Sequence, residues 1–166
     1  MGILGGSFDP AHIGHIKISN IARKKYSLNK IIWAITKKNP FKKKSSKSLK
    51  ERMDYAKKIN IKNKFIKVEF FESKINSNKT IDLINYLKKK NYKNIFFIMG
   101  ADNLVKFHKW HKWKEISSNC NILVFDRNGY KSKSLKSVAF KKFNKKGLEF
   151  INFKKVNISS SQLRKI

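Results

Sequence analysis

The chain has 166 residues, a single-domain length, and 40% of them are apolar and 13% aromatic, which excludes a wholly disordered polymer despite a formal net charge of +30. Forty Lys and Arg against ten acids point toward polyanions: nucleic acid, an anionic membrane surface or phosphorylated small molecules. Only four of the basic residues are Arg, however, and Lys, Asn, Ile and Phe share A/T-rich codons, so charge has a compositional explanation as well as a functional one. The lone Cys120 cannot form an internal disulfide and sits in an apolar run, as a packed small hydrophobe does. No run of 18 apolar residues exists, and the first residues lack a signal peptide's basic head and long apolar stretch. Gly2 is not followed by the Ser or Thr at position six that myristoylation needs, since Gly6 stands there. The expected setting is the cytoplasm.

In chain order, Ile3-Leu4 reads as a short strand running into a Gly5-Gly6 turn. Ile13, Ile16, Ile18, Ile21 and Ala22 roughly follow helical spacing as far as Tyr26. Lys30–Thr36 is solidly apolar at its centre and suits a strand buried on both faces. A Lys-rich loop, residues 37–47, leads to Ser48, which with Glu51 makes a capping box for a helix ending near Ile59. Phe65–Phe71 is a strand, and Thr80–Lys90 a helix with Ile81, Ile84 and Leu87 on one stripe. Strands follow at Asn94–Met99, Asn121–Phe125 and Glu149–Phe153, then a last helix starting at Ser159. The Lys-rich stretches 42–47 and 131–146 read as loops or solvated faces. Alternating strands and helices with apolar strands predict a single-domain, doubly wound parallel α/β sheet of Rossmann-like type. Ligands of such sheets bind beyond the carboxyl ends of the strands. Those ends are Gly5-Gly6-Ser7, Thr36–Lys42, Gly100-Ala101-Asp102 and Arg127.

The first of these loops reads Gly-Gly-Ser-Phe-Asp-Pro-Ala-His-Ile-Gly-His over residues 5–15. Gly5 and Gly6 allow a ligand close to the backbone, and Ser7 adds a hydroxyl. His12 and His15 are three residues apart and point the same way on a starting helix, whose N-terminus offers N–H groups and partial positive charge. Two imidazoles, glycine amides and a helix end form a donor cluster suited to phosphate oxygens. A metal site is disfavoured, because no Cys or carboxylate pair accompanies the histidines.

This segment, with Phe8 inside it, resembles the H-x-G-H signature of the nucleotidyltransferase superfamily. Ile158-Ser159-Ser160-Ser161-Gln162-Leu163-Arg164 resembles its second signature, I-S-S-T-x-x-R, with Ser161 in place of Thr. Within the superfamily the chain is similar to nicotinate-mononucleotide adenylyltransferases. The similarity rests on Gly100-Ala101-Asp102-Asn103-Leu104, the Trp110 segment after it, Asn39-Pro40-Phe41-Lys42, Thr80-Ile81-Asp82 and Asp126-Arg127-Asn128-Gly129-Tyr130. Pantetheine-phosphate adenylyltransferases are the alternative, but their R-G-x-R segment is absent. A basic nucleic-acid-binding protein is the alternative from a different class, with neither an aromatic-basic RNA motif nor a zinc finger behind it.

The resemblance implies one nucleotidyltransferase domain over residues 1–166, which transfers AMP from ATP to nicotinate mononucleotide and releases deamido-NAD and pyrophosphate. It assigns His12, His15 and Arg164 to catalysis. ATP would meet Gly5, Gly6, Ser7, Phe8, His15, Gly100, Asp102, Ser160, Ser161 and Arg164. Nicotinate mononucleotide would meet Lys42, Arg52, Thr80, Trp110, His111 and Arg127. Trp110 would stack on the pyridine or belong to the core, with Trp113 the better core residue; Asp102 would hold ribose hydroxyls, cap the next helix, or both. The nucleophile is the substrate's own phosphate, so no general base is required. Mg²⁺ is expected with ATP, held on phosphates and water more than on the few carboxylates. Neither a specific nucleic acid nor a membrane is implied as a partner, and the oligomeric state stays open. The chain ends two residues after Arg164, short of a terminal helix expected from the resemblance.

Overall fold

The computed structural model describes residues 1–37, 45–153 and 163. Lys42 and the Asn39-Pro40-Phe41 segment, Ser160, Ser161, Arg164 and the helix expected from Ser159 therefore lie outside the described residues. The described chain divides into two compact units, residues 2–76 and residues 77–153.

The first unit runs β1 (Gly2–Gly6), α1 (Ile13–Lys25), β2 (Ile31–Ile35), α2 (Leu49–Ile59), β3 (Ile66–Glu69) and a short α3 (Glu72–Ile75). Its strands are parallel in the order β3-β2-β1, with Gly6 opposite Ile35 and Ile31 opposite Ile66. All five residues of β2 are buried, as a strand covered on both faces requires. The capping box at Ser48 forms as expected: the Ser48 Oγ accepts the Glu51 N–H at 3.2 Å, and the Ser48 N–H donates to the Glu51 carboxylate at 2.8 Å.

The second unit runs α4 (Thr80–Lys89), β4 (Phe96–Gly100), α5 (Ala101–Lys106), a 3₁₀ turn (Phe107–Lys109), α6 (Trp113–Asn119), β5 (Asn121–Phe125), α7 (Lys131–Leu135), α8 (Val138–Phe143) and β6 (Leu148–Ile151). Its strands are again parallel, in the order β4-β5-β6. Orders 3-2-1 and 4-5-6 are those of a doubly wound, Rossmann-like parallel sheet. The stripe expected on α4 is buried at Ile81, Ile84 and Leu87.

Residues 131–146, expected as loops or solvated faces, hold two short helices. Lysines occupy their exposed faces, while Ser134, Ser137 and Ala139 are buried and the Ser137 Oγ accepts the Phe140 N–H at 3.2 Å. Cys120 is buried as expected; its thiol donates to the Ile116 carbonyl at 3.2 Å, and burial pushes its pKa up to about 12. Among the described residues no helix is long and apolar enough to cross a membrane.

Candidate active site

β1 ends at Gly6, and a Cβ there would come within 3.4 Å of the Phe8 ring, so glycine lets Phe8 fold close. Phe8 takes a positive φ of 48° and buries its ring, stacked on Trp33 at 4.9 Å and tilted against His15 at 4.8 Å. Its side chain belongs to the core, with the whole residue 2% exposed. Trp33 is itself fully buried, and its Nε1–H donates to the Ser19 hydroxyl at 2.9 Å, which in turn donates to the His15 carbonyl at 2.8 Å. The loop and the first turn of α1 are therefore anchored to the middle of β2.

His12 and His15 cap α1 with their own rings. The Gly14 N–H donates to His12 Nδ1 at 3.1 Å, and the His12 N–H donates to His15 Nδ1 at 3.1 Å. The His15 N–H goes to the His12 carbonyl at 2.9 Å. The helix amides expected to face phosphate directly are thus engaged at Gly14 and His15, and the histidines stand in front of them. A ring nitrogen that accepts an amide hydrogen carries no proton, so each neutral imidazole is the Nε2–H tautomer. The ring centroids lie 3.9 Å apart, and both side chains are half-buried. An imidazole that accepts from a helix amide at Nδ1 is polarised toward donation at Nε2.

Two charged side chains, Asp9 and Arg52, are buried behind this loop. Asp9 is 2% exposed. Its carboxylate accepts the Ser46 N–H at 2.7 Å, the Ser46 hydroxyl at 3.0 Å and the Lys47 N–H at 3.3 Å. Arg52, expected to reach a substrate phosphate, is also 2% exposed. Its guanidinium donates instead to the main-chain carbonyls of Ser7, Thr36, Lys37 and Lys47. Desolvation pushes its pKa below the ordinary arginine value, with Asp9 and Glu72 opposing. Buried and turned inward, the Arg52 guanidinium spends its donors on main chain. The Thr36 hydroxyl, at the carboxyl end of β2, is buried with no hydrogen-bond partner among the described residues, a polar group not singled out from sequence.

In the second unit the loops after β4 and β5 bring Asp102 and Arg127 together at 2.6 Å. A Cβ at Gly100 would meet the Asp102 carboxylate at 2.6 Å, so only glycine leaves room for it there. The α5 cap is Gly100, with Asp102 the second residue of the helix, in its first turn, which corrects the capping alternative for Asp102. Trp110 closes the 3₁₀ turn half-buried, edge-on to Phe107 at 5.3 Å and Phe97 at 6.0 Å. Trp113, expected in the core, is half-buried between Phe107 at 6.1 Å and Phe143 at 5.5 Å. Thr80 opens α4 with Lys79 as its cap residue, and His111 is exposed. No group of three or more His, Cys, Asp or Glu able to hold a metal ion forms among the described residues.

The family described as cytidylyltransferase-like matches residues 3–166. A protein of Pelagibacter ubique named probable nicotinate-nucleotide adenylyltransferase is 66% identical over 166 residues, covering 100% of this chain and 92% of that protein. One of the same name from Agrobacterium fabrum is 37% identical over 131 residues, or 78% of this chain and 70% of that one. Among solved structures, Plasmodium falciparum nicotinic acid mononucleotide adenylyltransferase complexed with NaAD shares the fold at a TM-score of 0.80 and 23% identity, over 99% of this chain and 82% of that one. The chain belongs to the cytidylyltransferase-like family and, within it, to the nicotinate-nucleotide adenylyltransferases.

Proposed function

We propose that the protein transfers AMP from ATP to nicotinate mononucleotide, giving deamido-NAD and pyrophosphate, with residues 1–166 acting as one catalytic domain in the cytoplasm. The observation that carries this reading is the pair of imidazoles, His12 and His15, each accepting a main-chain amide at Nδ1 at the start of α1, in the loop that follows the glycine end of β1.

An oxygen of the nucleotide's phosphate attacks the α-phosphorus of ATP, the bond from that phosphorus to the bridging oxygen breaks, and pyrophosphate leaves with the electron pair. The attacking group is already an anion, so the protein need supply only alignment and donors for charge on the α-phosphate and the leaving group. His12 and His15 give N–H donors, Gly5 and Gly6 open the backbone to the phosphates, and Ser7 adds a hydroxyl. Ser160, Ser161 and Arg164 would add donors on the triphosphate, and Lys42 a point charge on substrate phosphate. Asp102, steadied by Arg127, would accept from ribose hydroxyls. The exposed part of the Trp110 ring would face the pyridine, with Thr80 and His111 near the carboxylate.

ATP enters as its Mg²⁺ complex. No group of three or more His, Cys, Asp or Glu forms among the described residues, which fits a cation that rides on phosphate and water rather than on a protein cage. The test is pyrophosphate release with ATP and Mg²⁺, offering nicotinate mononucleotide, nicotinamide mononucleotide or 4′-phosphopantetheine. Turnover with nicotinate mononucleotide is expected. Turnover with phosphopantetheine alone would overturn the substrate and keep the phosphate chemistry.

A further inference from the structure

A phosphate-binding loop works only if its donors hold still, and in this protein the residue that holds them is a buried cation. The Nη1 of Arg52 donates to the Ser7 and Thr36 carbonyls, its Nη2 to the Lys37 carbonyl at 3.2 Å and its Nε to the Lys47 carbonyl at 3.2 Å. Four of its five N–H groups are spent on main chain. The four acceptors belong to three parts of the unit: the loop after β1 (Ser7), the end of β2 (Thr36 and Lys37) and the residue before the α2 cap (Lys47).

Asp9 works from the other direction, taking the amides of Ser46 and Lys47. Residue 47 is thus gripped by its N–H on Asp9 and by its carbonyl on Arg52. Ser7 and Asp9 bracket Phe8, whose ring lies against both Trp33 and His15. Any shift of the Ser7 carbonyl moves Phe8, and with it the wall that orients the His15 imidazole.

We propose that Arg52 is a positioning residue. Its guanidinium sets the His12–His15 donor loop by fixing the carbonyls of Ser7, Thr36, Lys37 and Lys47, and it touches neither substrate. The proposal rests on the reading of those histidines as phosphate donors. Lysine cannot replace Arg52, because one ammonium offers three donors from a single point and cannot span carbonyls on three segments.

The test has a kinetic and a spectroscopic arm. Arg52→Lys should lower kcat by about 100-fold, the scale of a roughly 1 Å misplacement of reacting groups. KM for ATP and for nicotinate mononucleotide should stay within about threefold. A raised KM for either substrate with kcat preserved would show that Arg52 meets that substrate, and would overturn the proposal. In the ligand-free wild type, ¹⁵N spectra should show the Arg52 Nε–H protected from exchange. That signal should stay unmoved when nicotinate mononucleotide or a non-hydrolysable ATP analogue is added singly; movement on either addition overturns the proposal. The ring ¹⁵N shifts of His12 and His15 should lose their Nε2–H pattern in Arg52→Lys, and an unchanged pattern overturns it. If the wild type turns over no nicotinate mononucleotide, the reaction reading fails, and the imidazole signals still decide whether the loop depends on Arg52. A lysine variant that does not fold leaves the wild-type Nε–H measurement to decide.

Discussion

The loop after β1 and the loops after β4 and β5 both present polar side chains at strand ends, yet they are held in opposite ways. In the first, side chains are fixed by main chain: His12 by the Gly14 amide, His15 by the His12 amide, Asp9 by two amides, and Arg52 on four carbonyls. In the second, one side chain holds another, Asp102 on Arg127, and Arg127 keeps 39% of its side-chain surface in solvent. Main-chain anchors cannot rotate away, which suits groups that must meet a transition state at a set distance. A half-exposed ion pair contributes little stability and can adjust to a ligand, which suits ground-state recognition. The contrast makes a kinetic forecast: damage to the first region falls on kcat, damage to the second on KM.

The sharpest way to break the contrast is His15→Ala. It removes one donor from the developing charge, so kcat should fall by about 100-fold or more. It also frees the His12 amide, which costs about 1 kcal/mol, as a lost cap does. Pyrophosphate-release kinetics beside a melting curve separate the two effects. A kcat within about threefold of wild type ends the catalytic role of His15. In the second region the matching change is Gly100→Ala. The new Cβ occupies the place of the Asp102 carboxylate and forces it off Arg127. The expected result is a KM for ATP raised about tenfold, the worth of one charged hydrogen bond, with kcat nearly kept. A large kcat loss with KM unchanged would erase the distinction between the two regions.

How much of this was legible in the sequence depended on how local each signal was. The Ser48–Glu51 box and the Asn121–Phe125 strand are written in contiguous residues and were read at their observed positions. The Gly5–His15 loop reads as a candidate donor cluster because its glycines and histidines fall in one run of eleven residues that begins at the end of β1. Asp9 and Arg52 were not legible in this way, since their partners lie up to 45 residues away and most of those partners are main-chain groups that leave no mark in sequence. Phe8 turned inward for a related reason: its positive φ sends the ring onto Trp33, and nothing in Ser-Phe-Asp announces that conformation. The helices within 131–146 were hidden by lysines on their exposed faces, although Ser137 three residues before Phe140 was a readable cap.

Two smaller effects sharpen the comparison. Trp33→Phe removes the indole N–H that Ser19 accepts and thins the wall behind Phe8. The lost bond and the small void together should cost about 2 kcal/mol, a melting-point drop of about 5 °C. Because Ser19 still reaches the His15 carbonyl, kcat should fall far less than in His15→Ala, and an equal fall would place the control of the loop in β2 rather than at its own amides.

Cys120 supplies the baseline. It precedes β5, at the other end of that strand from Arg127, and its thiol is buried against the Ile116 carbonyl. Cys120→Ala should therefore leave kcat and both KM values unchanged at neutral pH. Its one signature is alkaline. Burial raises the folded-state pKa from 9.0 to about 12, so folding favours the protonated thiol. That contribution is fully present below pH 9 and is lost as pH rises from 9 toward 12. Denaturant unfolding of wild type and Cys120→Ala should give a constant stability difference up to about pH 9. Above it wild type should lose ground, because the variant has no thiolate to bury. A difference that stays flat through that window would mean that the thiol ionises as easily folded as unfolded, and that the N-terminal end of β5 opens to water.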